Sequence, residues 1–395
     1  MIRRLFFVAV AVLTVLTAQA RERQNFDKGW RFLLADSVQM AKADYDDSWW
    51  RRLDVPHDWA REGDFYAGNP SGAGGGALPG GIGWYRKHFT LSRYDSVRDR
   101  LFLEFDGVYM NSTVYVNGQE VGFRPYGYSS FEYDITPYVR EGENVVAVKV
   151  DNSDQPNSRW YSGCGIYRHV WLTKTAPVHV AHWGVYANSS VVKGKGKVNI
   201  EVTLAGQGSV ENTLIDPNGK VVGRSKGLKS VISVSKPMLW SCESPYIYKV
   251  RTDVKVGGRV VDTYETTTGF RDFRFDAKTG FWLNGKNFKL NGVCEHHDFG
   301  CLGAALNEDA LHRKLLKLKA MGVNSIRSSH NPPAPELLTM CDTMGLIVMD
   351  ESFDMWRRKK TQNDYARFFD EWHERDLTDL ILRDRNHPSI LMWRC

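Results

Sequence analysis

Between Arg21 and about Ala176 the chain alternates apolar and polar residues in short runs, and Gly, Asn, Asp or Pro interrupts them every ten residues or so. WYRKHFTL, RLFLEFDGV, STVYVNGQEV, NVVAVKV and RHVWLTK are the clearest runs. A period of two places alternate side chains on opposite faces of a strand, so each run predicts a strand with one buried face. Asn117-Gly118 lies between two runs and predicts a tight hairpin, because both central positions of a type I′ turn need positive φ. The region reads as a β-sandwich of jelly-roll type. Ser71 to Gly83 is glycine-rich and predicts a flexible loop; it lacks the spacing and following helix of a phosphate cradle.

A break falls near Thr175 to Pro177, after which KVNIEVTLAG, NTLIDPNGKVV and YKVRTDVKVGGRVVDTYETT resume the alternation, with Asn218-Gly219 and Gly257-Gly258 as hairpin turns. A smaller, immunoglobulin-like sandwich fits this stretch. From about Gly269 the pattern changes. Three apolar runs, Phe288 to Val293, Val323 to Ile326 and Leu346 to Met349, each end in side chains able to do chemistry. Between them Leu311, Leu315 and Leu318, then Leu337, Cys341 and Met344, recur with the spacing of one helix face. His373 to Arg385 continues the helical pattern, and Ser389 to Trp393 supplies a fourth strand. Strand alternating with helix predicts a parallel sheet, and reactive groups just past the strands suit the active face of a β/α barrel. A full (β/α)8 barrel takes about 250 residues and about 120 remain here, so the first four strands of an incomplete TIM barrel are expected.

The expected organisation is a leader over 1–20, a jelly roll over 21–176, the immunoglobulin-like sandwich over 177–271 and the barrel portion over 272–395. Arg3 and Arg4, the apolar run Leu5 to Leu16 and the small residues Ala18 and Ala20 form the leader, a secretory signal peptide, so an exported, periplasmic or secreted product is expected. No later stretch is long and apolar enough to predict a membrane span. The net charge of +6 is spread without long basic runs and gives no support to nucleic-acid binding. The six cysteines contain no Cys-x-x-Cys pair, so buried free thiols are expected, with a Cys294 to Cys301 bridge as the alternative.

VPHDW (Val55 to Trp59), LPGGIGWYRKHF (Leu78 to Phe89), DGVYMNSTVYVNG (Asp106 to Gly118), NSRWYSGCGIYRHVWL (Asn157 to Leu172), GVCEHHDFGCLGAA, IRSSHNPP and MDESFDMW, in this order, resemble glycoside hydrolase family 2 over essentially all of Gln24 to Trp393. The resemblance implies a galactose-binding-like jelly roll, an immunoglobulin-like domain and a TIM barrel. It also implies hydrolysis of a β-glycoside or oligosaccharide with retention, through two glutamates about 5 to 5.5 Å apart. The GVCEHHDFG and SHNPPAPELL forms look most like bacterial β-galactosidases, which are similar to β-glucuronidases and β-mannosidases over this region. No cofactor is implied, and the intact enzyme has room to form a homo-oligomer.

In the family the acid/base glutamate follows strand 4 and the nucleophile follows strand 7, so both are expected beyond Cys395, and no catalytic residue is assigned within the chain. A truncated chain without glycosidase turnover is the expectation, with a non-catalytic carbohydrate-binding protein as the alternative. Half a barrel would also leave two strand edges open and inward apolar residues such as Leu290 and Ile390 in water, which predicts low solubility.

The resemblance assigns sugar contacts to His296 and to His330, with Asn331 beside it. His297, next in sequence, competes with His296, since only one of two adjacent strand residues faces inward. Arg327 lies within the second strand and can orient a carboxylate through a bidentate pair. Asp350 and Glu351 point apart on one strand and cannot together flank a glycosidic bond; Glu351 is read as sugar-binding and Asp350 as an anchor. Trp393 offers a stacking face. A metal site is not expected: the histidines are adjacent where a metal barrel presents His-x-His, and Asp354-Met355-Trp356-Arg357 replaces the Glu-x-His of some magnesium-binding β-galactosidases.

Overall fold

Two antiparallel sheets enclose the first core, in a computed structural model that describes residues 21–394. The proposed leader lies outside the described residues. One sheet has six strands, ordered Arg51–Leu53, Trp30–Leu34, Gly81–Leu91, Gly142–Asn152, Ser112–Val116 and Gln119–Arg124. The other has four, Glu22–Asn25, Val170–Thr175, Arg100–Phe105 and Phe131–Asp134. The alternation does what its period requires: Val146, Val148 and Val150 on one strand face Leu101, Leu103 and Phe105 on the other sheet, all buried. Each such side chain contributes about 1.5 to 3 kcal/mol by leaving water. Asn117 and Gly118 turn with φ of 51° and 82°, as the hairpin needs.

The glycine-rich segment departs from the flexible-loop expectation. Gly81 to Gly83 begin the strand Gly81–Leu91, and Ser71 and Leu78 are buried. A Cβ on Gly83 would lie 2.8 Å from the Trp59 ring and 2.9 Å from the Phe32 ring, so the glycine there makes room for two aromatics.

The second sandwich packs a three-stranded sheet, His179–Val192, Lys195–Ala205 and Lys229–Ser235, on a four-stranded one, Val221–Lys226, Ser209–Ile215, Tyr248–Val256 and Arg259–Thr268. Val198, Ile200, Leu214 and Val250 fill its core. A three-stranded hairpin sheet that the sequence pattern did not reveal follows, Phe273–Asp276, Gly280–Leu283 and Lys286–Asn287.

Four parallel strands then stand side by side in sequence order: Gly292–Glu295, Ser325–Ser328, Ile347–Glu351 and Ile390–Arg394. They alternate with helices α1 (Glu308–Ala320), α2 (Pro335–Met344) and α3 (Phe369–Asp384). Asn307 caps α1 by accepting from Ala310 N at 2.8 Å, and Pro335 opens α2 where no intrahelical donor is needed. Gly345 ends α2 at φ 72°, and a Cβ there would sit 2.4 Å from the Cys242 carbonyl oxygen.

The first strand begins at Gly292 rather than Phe288, because Phe288 and Leu290 pack with Trp240, Phe281 and Leu283 beneath the barrel. Ile390 is buried among Leu315, Leu338 and Val348 rather than meeting water, and Leu290 is half-buried. The first and fourth strands are the edges of this sheet. Among the described residues no helix is long and apolar enough to cross a membrane. Cys164 and Cys341 are buried free thiols as expected, whereas Cys294 and Cys301 are exposed, free and not bridged.

Candidate functional site

Arg327 and Glu351 occupy neighbouring parallel strands, near their C-terminal ends, where strand spacing brings the side chains together. Arg327 Nε donates to Glu351 Oε2 at 2.7 Å and Nη2 donates to Oε1 at 2.9 Å, a bidentate fork. That hydrogen bonding raises the Arg327 pKa further, so the guanidinium is a fixed cation. The fork also reaches the next loop: Nη2 donates to His330 Nδ1 at 2.8 Å. An Nδ1 that accepts leaves the proton on Nε2, so His330 presents an N–H donor to the cleft.

His296, just past the first strand, meets His330 edge to face, with ring centroids 5.3 Å apart at 86°. Trp160, from the first sandwich, packs on both rings, 5.4 Å from His296 and 5.0 Å from His330. Burial is the main reason both histidines are more readily deprotonated than a free imidazole. The result is a group of neutral imidazoles, one carboxylate held by the Arg327 fork with Arg394 Nε 3.6 Å from its Oε1, and an indole wall. Hydrogen-bond donors and acceptors beside an aromatic face suit sugar hydroxyls and the apolar faces of a sugar ring.

Four of the seven candidate residues, His296, Arg327, His330 and Glu351, come together here. His297 turns the other way: its Nε2 donates to the Ser162 carbonyl at 3.1 Å and its ring packs on Tyr128 and Tyr167. Burial pushes its pKa down to about 4. Asn331 is 3 % exposed and, with His296, His297 and Arg168, lines a cavity bounded by α1 and α2. Trp393 is paired in register with Asp350, and so shares the face of Asp350 rather than that of Glu351. Asp350 is fully buried, and burial together with the neighbouring Asp384 raises its pKa well above the usual carboxylate range.

Sequence pattern passed over three contributors that the fold supplies. Trp160 forms the wall. Arg159 makes a bidentate pair with Asp354, at 3.0 and 2.7 Å, and Lys360 Nζ joins the same carboxylate at 2.8 Å. Burial works against ionising Asp354, but these two cations outweigh it and hold the pKa below the ordinary value. Arg168 donates from Nη2 to the Pro332 carbonyl at 2.9 Å and from Nη1 to that of Pro333 at 3.2 Å, fastening the loop that carries His330. Their signal was the density of polar and aromatic residues in NSRWYSGCGIYRH, a stretch that carries part of the family resemblance and has no strand or helix period until its last two residues. Elsewhere Glu104, Glu132 and His182 bring ligand-type atoms within 4.8 Å of one another. Arg23 on Glu104 and His182 on Glu132 already pair those charges.

Three family models match consecutive parts of the chain. They are the sugar binding domain of glycosyl hydrolases family 2 over 77–176, a glycosyl hydrolases family 2 domain over 178–271, and the family's TIM barrel domain over 276–395. The β-galactosidase BoGH2A of Bacteroides ovatus is 55 % identical over 94 % of this chain and 46 % of its own length. A β-glucuronidase of Bacteroides fragilis is 30 % identical over 98 % of this chain and 58 % of its own. The crystal structure of a β-glycosidase from Bacteroides vulgatus superposes with a TM-score of 0.91 at 42 % identity, over 94 % of this chain and 50 % of that one. The chain spans about half the length of these relatives. With sandwich, sandwich and parallel strands following one another in the order of the matching models, the chain belongs to glycosyl hydrolases family 2.

Proposed function

We propose that this chain forms the sugar-recognising part of an exported, retaining exo-β-glycosidase that acts on terminal β-galactosides. The observation that carries the reading is the Arg327–Glu351 fork with His330 at the strand tips, walled by Trp160. Glu351 is a hydrogen-bond acceptor for sugar hydroxyls, fixed by Arg327 so that little ordering remains to be done on binding. His330 Nε2–H and His296 supply donors from the neighbouring loops. The 55 % identity to a β-galactosidase favours galactose over glucuronate as the recognised sugar.

Retention needs two carboxyl groups about 5 to 5.5 Å apart, one protonating the leaving oxygen and one attacking the anomeric carbon. Neither role is assigned to a described residue. Glu351 is engaged with Arg327, and Glu295 is drawn to Lys314 Nζ at 2.9 Å. Binding without turnover is therefore expected of this polypeptide. Calorimetry with a non-hydrolysed thio-β-galactoside should give saturable binding that Glu351→Gln weakens at least tenfold, while a nitrophenyl β-galactoside stays intact. Binding that ignores the Glu351 substitution would overturn the recognition role, and hydrolysis would overturn the division between binding and chemistry.

A further inference from the structure

We propose that the exposed basic segment Trp356 to Lys360, together with Arg159, forms a leaving-group subsite for an anionic saccharide, one bearing a sulfate ester or a uronate carboxylate next to the bond cleaved. This rests on the β-galactoside reading above and extends it to the other side of the bond. The segment begins five residues after Glu351, in the loop that leaves the third barrel strand, and such loops build the active face of a barrel. Asp354 fastens it there. That carboxylate takes the Arg159 fork and Lys360 Nζ, and it borders a small cavity together with Trp160 and His330. Since Trp160 is also the wall against His296 and His330, the base of the basic loop and the sugar site share one partition.

The charges beyond that partition do not cancel. Arg159, Arg357, Arg358, Lys359 and Lys360 face two carboxylates within ion-pair reach, Asp354 and Asp370. Arg357 pairs with Asp370 at 2.6 Å where both are exposed, so water competes for that contact. Lys359 reaches only the Gln362 carbonyl, at 3.4 Å, and Arg358 is exposed with no partner among the described residues. Trp356 adds an aromatic surface. Its ring meets Phe353 edge to face and Phe369 at a tilt, and 42 % of the residue remains exposed. Guanidinium forks pair with planar or tetrahedral oxyanions through two parallel hydrogen bonds, and an exposed indole stacks on a sugar face. A basic run that served only for solubility would need neither the Asp354 anchor nor the tryptophan.

The test uses the full chain and four probes of equal length: a neutral β-galacto-oligosaccharide, its sulfated form, its uronate-bearing form, and a sulfated dextran oligomer that lacks a β-galactosyl end. Titration calorimetry at low and moderate salt gives a dissociation constant for each. A sulfated or uronate β-galactoside should bind at least tenfold more tightly than the neutral one, with a larger loss on adding salt, and the two anionic arms tell which group is preferred. Arg358→Ala combined with Lys359→Ala should bring the anionic-to-neutral ratio to about one. Equal binding of neutral and anionic probes, or a ratio that survives the double substitution, overturns the subsite. So does sulfated dextran binding as tightly as the sulfated galactoside, which would mark a plain surface charge. The sugar-recognition reading fails separately, if Glu351→Gln leaves the neutral β-galactoside unaffected.

Discussion

Arg168 reaches out of the first sandwich and donates to the carbonyl of Pro332 at 2.9 Å, two residues past His330. The residue is 1 % exposed, and Nη1 also meets the carbonyls of Asp106, Tyr128 and Pro333 at 3.2 to 3.3 Å. A guanidinium so enclosed by carbonyl dipoles sets the height of the His330 loop above the barrel strands. Tyr126 donates to the Ser352 carbonyl at 2.7 Å and does the same for the loop after Glu351. The first sandwich thereby works as one jaw of the proposed sugar site.

Arg168→Met keeps the aliphatic stem and removes the donors, so the carbonyls of Pro332 and Tyr128 lose their side-chain donor in a buried seam, while those of Asp106 and Pro333 keep Ser130 Oγ and Arg383 Nη2, each at 2.9 Å. Hydrogen bonds to charged groups are worth about 1.5 to 3 kcal/mol each and do not add fully, which puts the expected loss of stability at about 2 to 4 kcal/mol. Urea unfolding measures it. The same variant should weaken thiogalactoside binding at least tenfold, because His330 loses its set position. Unchanged binding in a folded variant would show that the loop holds itself.

Trp160→Ala should act mainly on the two histidines it covers. Burial is the leading cause of the lowered pKa of both His296 and His330, so admitting water removes that cause and both values should rise toward the ordinary imidazole value. NMR titration of the ring Cε1–H signals reads this directly. Binding of a neutral galactoside should fall up to about tenfold, in line with about 0.5 to 1.5 kcal/mol for a lost aromatic contact, and Trp160→Phe should keep most of it. If the histidines titrate unchanged in the alanine variant, the indole is not what shields them.

The elements with strong period are legible in the sequence: both sandwiches, three helices and four parallel strands follow from apolar spacing. What escaped had no period to read. Phe288 and Leu290 looked like the start of a strand because an apolar run does not say what it packs on, and their partner is Trp240, about fifty residues away in sequence. His296 and His297 could be read only as a pair. The strand ends at Glu295, so strict alternation lapses where it was needed to tell them apart. Arg327 and Glu351 were legible because they sit at strand ends, and His330 through the family resemblance of its motif. Trp160, Arg159 and Arg168 were not, because their link to the barrel is a tertiary contact across more than 150 residues.

His297 predicts an acid-side loss of stability. Its folded pKa is pushed down from 6.5 to about 4 by burial, with the Arg168 cation as the next cause. The unfolded chain therefore binds a proton below about pH 6.5 that the folded chain refuses until about pH 4, so stability from this group is complete above that window and drains as pH falls through it. His297→Gln keeps a donor for the Ser162 carbonyl and cannot titrate. The urea midpoint of the variant should fall less steeply than that of the parent between about pH 6.5 and 4. Parallel curves would assign the acid sensitivity to another group.

Arg327→Lys separates charge from geometry. The ammonium keeps one positive charge near Glu351 but cannot make two parallel hydrogen bonds to the carboxylate while donating to His330 Nδ1, as the guanidinium does at 2.7, 2.9 and 2.8 Å. His330 would then be free to rotate or to exchange its tautomer, and its Nε2–H would no longer be fixed toward the cleft. Partial exposure of Arg327 keeps the stability cost small, about 1 kcal/mol. Galactoside affinity should fall ten- to hundredfold, because positioning is lost at both the carboxylate and the imidazole. Calorimetry beside a thermal melt distinguishes the outcomes. Affinity falling with an unmoved melting temperature identifies the fork as a positioning device, whereas a large melting shift with parental affinity would make it a strut of the barrel wall.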